Sequence, residues 1–222
     1  MASRTESFSR VDVPLAGRSY VARRHLCVRR GGGQMFRIQQ DLLESSIYLY
    51  PDQASAASGQ QVGGSGFLLG WSLPSDIGGY SLWAVTNRHV IDQGHWTIRM
   101  NGADGGLSFM DTDDSQWVFH PNDSDLAVRP MSLSNDIHRF KFVPDNWLLK
   151  DEWKRNLDIG PGDPCFTVGR FVGHDGRQQN NPTVRFGQIA QSDNEPVIVG
   201  GKSQSCSRLS PTPTLDASRT LM

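Results

Sequence analysis

The chain has 222 residues, 37% apolar and 20% charged, with a net charge of −1, an ordinary composition for a globular protein able to bury a core. Its 23 glycines and 12 prolines suit many short strands and turns and argue against a helical bundle. The three cysteines, Cys27, Cys165 and Cys206, form no C-x-x-C pair, no apolar run approaches the roughly 20 residues of a membrane span, and no charged n-region leads into an apolar stretch. A disulfide framework, a cysteine zinc site, a spanning helix and a secretory signal are thereby excluded, which places the expected chain in the cytoplasm.

Residues 1–34 carry seven arginines against Glu6 and Asp12, a charge of +5 that leaves −6 on the remainder. Such a basic arm, taken to residue 40, reads as a disordered extension in preference to a nucleic-acid or membrane contact. Residues 30–35 read Arg-Gly-Gly-Gly-Gln-Met, and the purine-rich codons open to them suit a ribosome-binding site just before Met35. Met35 is therefore the expected natural start, which N-terminal sequencing of the native product tests. From residue 41 the pattern turns globular. Ser46–Tyr50 is a short β-rich run closed by Pro51, and residues 52–64 read as a small, polar loop. Gly66–Trp71 and Leu82–Thr86 read as strands, with Gly78-Gly79 marking the turn between them. Trp96–Met100 alternates as a strand does, 101–114 is turn-rich, and Trp117–His120 and Leu126–Val128 are short strands, the latter ended by Pro130.

Residues 131–156 are polar and uneven, as a crossover between two β units would be. Asp158–Gly169 then supplies a Pro-Gly turn and a strand, Thr183–Ile189 another strand with Gly187 as its expected bulge, and Pro196–Val199 a short third. Residues 202–222 are rich in Ser, Thr, Pro and Arg, without apolar periodicity, and are expected to be disordered. The expected units are thus 41–130, a crossover over 131–156, a partial second unit over 157–201, and a tail.

Acyl transfer by a serine hydroxyl needs a base to take its proton, a carboxylate to hold that base in one tautomer, and donors for the oxyanion. Ala84-Val85-Thr86-Asn87-Arg88-His89-Val90-Ile91 has the form expected around such a base: an apolar strand, a polar turn, then a histidine between apolar anchors. Asp125-Leu126-Ala127-Val128, 36 residues further on, has the form expected of the carboxylate, opening a strand and followed by apolar residues. Singly these are weak signals, since a lone histidine after a strand is usually structural and an Asp before an apolar run is usually a cap. Their order and spacing are more specific.

Gly-Ser-Gly-Phe-Leu-Leu over 64–69, then Trp-Ala-Val-Thr-Asn-Arg-His-Val-Ile over 83–91, then Asp-Ser-Asp-Leu-Ala-Val-Arg-Pro over 123–130 resembles the trypsin-like peptidase superfamily in its bacterial, disulfide-free form. Residues 160–171 and 183–189 are similar to the beginning of that family's second barrel and to a later strand, so the likeness covers about residues 41–200. It implies an all-β fold of two chymotrypsin-like Greek-key barrels, the second incomplete, with peptide-bond hydrolysis as the activity, a polypeptide as the partner, and neither cofactor nor metal. It implies His89 as general base and Asp125 as its orienting partner, Asp123 being the nearby competitor.

The same family places its nucleophile in a Gly-x-Ser-Gly-(Gly/Ser)-Pro turn, and no serine from Ser203 to Ser218 has those flanking glycines. Ser205, in Gln-Ser-Cys-Ser, is the least poor candidate by position, and Cys206 as a thiol nucleophile fails for the same reason. The sharp change of composition at about 202 is what a frameshift or truncation produces. The expectation is a serine endopeptidase relative that is inactive as it stands; the alternative is a non-catalytic, peptide-binding pseudoprotease.

Overall fold

The computed structural model describes residues 37–61, 63–121, 124–170, 176, 178–191, 197–199, 202–204 and 208–211. The basic arm with Met35 and Cys27, together with Asp123, Ser205 and Cys206, lies outside the described residues. The chain runs through α1 (Gln40–Glu44), β1 (Ser46–Tyr50), α2 (Gln53–Ser58), β2 (Gly64–Ser72), β3 (Tyr80–Thr86), α3 (Arg88–Asp92), β4 (Thr97–Gly102), β5 (Leu107–Met110), β6 (Val118–Phe119) and β7 (Ala127–Met131). It continues through β8 (His138–Arg139), β9 (Val143–Pro144), α4 (Asp151–Asn156), β10 (Pro164–Gly169), β11 (Thr183–Gln191), β12 (Val197–Val199), β13 (Lys202–Gln204) and β14 (Arg208–Pro211). The fold is all-β and very largely antiparallel.

One sheet runs in the order β5-β4-β1-β2-β3-β7-β6, with β8 added to β4 and β9 added in parallel to β2. The apolar run of β1 is buried on both faces, as its lack of alternation requires. Ile47 and Leu49 join Leu68, Leu82, Ala84, Ile98, Met100 and Ala127 in the main core, while Tyr48 and Tyr50 meet Ala56 of α2 on the opposite face. Gly78 and Gly79 make the β2–β3 turn at φ +67° and +84°, conformations that L side chains rarely adopt.

The sheet curls. Arg129 on β7 reaches the Met110 sulfur on β5 at 3.2 Å and the Gln116 side-chain oxygen at 2.8 Å, so the two ends of the strand order approach one another. The ladder nevertheless does not close among the described residues, and the expected first barrel is an open, curled sheet. The cause is local: a 3₁₀ turn at Asp114–Gln116 joins β5 to β6, and β6 is two residues long, too short to pair on both sides.

Beyond α4, β10, β11 and β14 form a second sheet, and β12 with β13 a two-stranded ribbon. The register pairs Phe166 with Phe186 and Val168 with Val184 on one face of the β10–β11 hairpin, and Thr167 with Arg185 and Gly169 with Thr183 on the other. The apolar face is thinly covered: Phe166 and Phe186 stack at 6.3 Å, yet Phe186 remains 49% exposed. This sheet is no closed barrel either.

Several sequence expectations are corrected. The loop expected at 52–64 contains α2, because the Asp52 carboxylate accepts the Ser55 N–H at 2.7 Å and Gly59 ends the helix in the left-handed region, a cap at each end. The turn-rich stretch 101–114 contains β5, and Pro130 lies inside β7 opposite Trp83. There β6 has already ended at Val128, so the missing proline N–H falls on an open edge. The expected crossover 131–156 contributes β8 and β9 to the first sheet. Gly187 sits in regular register with Cys165, and the bulge lies between Ile189 and Gln191. The expected disordered tail holds β13 and β14, the latter pairing Leu209 opposite Ile189. Backbone pairing on an open edge asks little of composition, which is why the Ser/Thr/Pro/Arg content misled.

Candidate active site

The end of β3 leads directly into α3, a single five-residue helix where a plain turn was expected. Two apolar anchors hold it: Val90 and Ile91 are 2% and 1% exposed and belong to the main core. Trp96 reinforces the anchor by donating its indole N–H to the Ile91 carbonyl at 2.9 Å. Residues 63–66 make room for it. A Cβ on Gly64 would lie 2.6 Å from a Val90 methyl, one on Gly63 would overlap the His95 ring, and one on Gly66 would strike the Val85 carbonyl. The glycines that read as loop flexibility are instead close-approach positions.

With Val90 and Ile91 turned inward, the His89 side chain is 56% exposed. Its Nδ1 lies 2.7 Å from Oδ2 of Asp125, and the backbone N–H of His89 donates to Oδ1 of the same carboxylate at 2.9 Å. Asp125 comes from the segment leading into β7, which pairs with β3 so that Thr86 stands opposite Ala127; the ladder thus brings the two chain segments together. Asn87 completes the arrangement, its side-chain amide donating to Asp125 Oδ2 at 3.2 Å and to the Asp125 carbonyl at 3.1 Å. Asn87 is the N-cap residue of α3 yet forms no side-chain cap; the first-turn N–H is satisfied from across the sheet by Asp125. Sequence reasoning passed over Asn87, although an Asn immediately before a short helix is itself a signal.

The electrostatics follow from these contacts. Burial of the Asp125 carboxyl pulls its pKa upward, but the His89 backbone N–H, the His89 ring with its charge, and the Asn87 amide outweigh that and hold it below the usual carboxylate value. An ionised Asp125 accepts from Nδ1–H of His89, which leaves Nε2 as the lone-pair nitrogen, on the far side of the ring from the carboxylate. A histidine so arranged can take a proton at Nε2 and be stabilised as the imidazolium that results.

A cleft of about 200 Å³ lies close by, between Ser65 of β2 and Thr167, Gly169, Arg170, Thr183 and Arg185 of the second sheet. Thr86 ties its first wall to the end of β3 by donating to the Ser65 carbonyl at 3.1 Å. A larger, shallow hollow of about 470 Å³ opens between Asp52, Trp96 and Asp111. Its carboxylates are already engaged, Asp52 in capping α2 and Asp111 with Gln53 and Thr97. Among the described residues no helix is long and apolar enough to cross a membrane.

No family model matches the chain, and no curated protein matches it. Among solved structures it is similar to the apo crystal structure of the MamO protease domain from Magnetospirillum magneticum, with 17% identity over 78% of this chain and 74% of that one and a TM-score of 0.48.

Proposed function

We propose that this chain is a trypsin-like serine endopeptidase relative in which His89 is the general base and Asp125 its orienting carboxylate. In an intact site of that kind, Nε2 of His89 takes the proton of the serine hydroxyl as its oxygen attacks the scissile carbonyl. The same proton then passes to the departing amine as the C–N bond breaks, and a water repeats the cycle to release the acyl group. Asp125 keeps the imidazole in the Nδ1–H tautomer and stabilises its cation. The observation that carries this reading is the double use of one carboxylate, which fixes both the backbone and the ring of His89. The Gly-x-Ser-Gly turn has no counterpart in the sequence, so no acyl bond forms and the chain is inactive as it stands.

Nitrogen NMR of the His89 ring tests the pair: the Nδ1–H tautomer is expected at neutral pH, and an Nε2–H tautomer would overturn the assignment of His89 as base. Incubation with a serine-directed fluorophosphonate tests the missing nucleophile. No adduct is expected, and a serine adduct that vanishes in His89→Ala would show that the nucleophile is present after all. The alternative, a pseudoprotease that only holds peptides, is favoured by the polar cleft beside the dyad.

A further inference from the structure

The hairpin face that looks toward the first sheet is the wrong kind of face for a core. Gly169 presents its missing Cβ to β2, the Ser65 hydroxyl lying 3.5 Å from where that atom would be. The register puts Thr167, Thr183 and Arg185 on the same side as Gly169, while Phe166, Val168, Val184 and Phe186 point the other way. A sheet packed against its neighbour ordinarily turns its apolar residues inward. Here the polar face is turned inward and the apolar one outward, so the space between the sheets is built to stay polar.

The chemistry of that space has one sign. Its walls carry the hydroxyls of Ser65, Thr167 and Thr183 and the two guanidiniums of Arg170 and Arg185, and no carboxylate. Two like charges on one small cleft repel, and an anion between them relieves the repulsion. A guanidinium offers its donors in a planar fork that matches a carboxylate, and threonine and serine hydroxyls can add further donors. The volume of about 200 Å³ corresponds to roughly six or seven waters, enough for one carboxylate-bearing side chain and too little for a folded partner. The bond from Thr86 to the Ser65 carbonyl sets this cleft beside the strand end that delivers Asn87 and His89.

We infer that the cleft is an acidic-side-chain subsite, which receives the carboxylate of a Glu or Asp in a peptide lying along the junction of the two sheets. The inference rests on the proposed reading only in taking a peptide as the ligand. It assigns to Arg170 and Arg185 the role of choosing that ligand, whether or not the bound peptide is cut.

Isothermal titration calorimetry with acetyl-Ala-Ala-Glu-Ala-Ala-amide and its Gln counterpart tests this on the full chain. The Glu peptide is expected to bind about ten-fold tighter at low salt, with the margin shrinking as salt rises. Arg185→Gln, and the double variant with Arg170→Gln, should abolish the margin, and Arg185→Lys should retain part of it because charge survives while the fork is lost. Thermal unfolding of each variant checks that it is folded, and Arg185, an exposed position, is the more tolerant site. Equal affinity for the two peptides, or a margin that survives the double variant, overturns the inference. Binding of inorganic phosphate without binding of either peptide also overturns it, since the site would then hold a free anion. Neither result touches the His89–Asp125 pair, which the tautomer measurement decides separately.

Discussion

Replacing Asp125 by Asn removes the charge on which α3 and the His89 ring both depend. The Asp125 carboxylate accepts from the His89 backbone at 2.9 Å, from the His89 ring at 2.7 Å and from Asn87 at 3.2 Å. In Asp125→Asn the oxygen facing the backbone can be kept, but an NH₂ group then faces two donors where Oδ2 had accepted. The ring must turn to its other tautomer or lose its partner. Hydrogen bonds to a charged group contribute about 1.5–3 kcal/mol each when sheltered, and the exposure of His89 discounts that, so a loss of about 1–2 kcal/mol is expected at pH 7. Because the carboxyl pKa is lowered on folding, its contribution is fully present above the ordinary value of 3.8 and is lost as pH falls through the folded value. Urea unfolding of wild type and variant at neutral pH and in strong acid is the assay, with ring-nitrogen NMR of His89 alongside. The stability gap should close in acid, and the His89 tautomer should change at pH 7. Equal stability at neutral pH, a gap unchanged in acid, or an unaltered tautomer would refute this account of the site.

His138, 8% exposed, has its pKa lowered by burial, with Ser108 Oγ 2.9 Å from its Nδ1. Its neutral form is the native one, so stability should be complete above the ordinary value of 6.5 and decline as pH falls from there to the folded pKa. His138→Gln should flatten that slope in urea midpoints measured against pH. The guanidinium of Arg99, fully buried, donates to Tyr50 Oη at 3.1 Å, to the Ala56 carbonyl at 3.0 Å, to the Gln179 carbonyl at 3.2 Å and to the Gly176 carbonyl. It thereby pins the connection between β10 and β11 to the outer face of the first sheet. Arg99→Met should cost about 2–4 kcal/mol by stranding those carbonyls. It should also speed hydrogen exchange at the Asn180 amide, which donates to Asn101 Oδ1 at 2.6 Å; unchanged protection there would count against the role of Arg99. Gly66→Ala drives a methyl into the Val85 carbonyl and should destabilise by about 2–3 kcal/mol. Gly78→Ala, at φ +67° in open space, should cost about 1 kcal/mol, and calorimetric melting of both variants orders them.

The strands around the candidate site could be read directly. Leu82–Thr86 is an apolar run that ends in polar residues, and β3 runs from Tyr80 to Thr86. His89 between Val90-Ile91 and a strand, and Asp125 ahead of Leu-Ala-Val, are local patterns, and the β3–β7 ladder brings their bearers within 2.7 Å. Other features were legible but misweighted: Asp52 and Gly59 bracket α2 as a cap signal does, and Asn87 precedes α3.

The amino-acid sequence by itself determined which segments are extended, where they turn, and which titratable groups sit at strand ends, because those choices are set by neighbours in the chain. Only the tertiary structure decided that Asp125 caps α3 from another strand, that the 63–66 glycines admit His95, Val90 and the Val85 carbonyl, and that Arg99 is neutralised by carbonyls instead of a carboxylate. It also decided that the β10–β11 hairpin turns its polar side inward, since alternation marks two faces of a strand without saying which one meets the neighbouring sheet. Contacts of that kind join groups tens of residues apart, and their energies depend on distance and burial that exist only once the chain has folded.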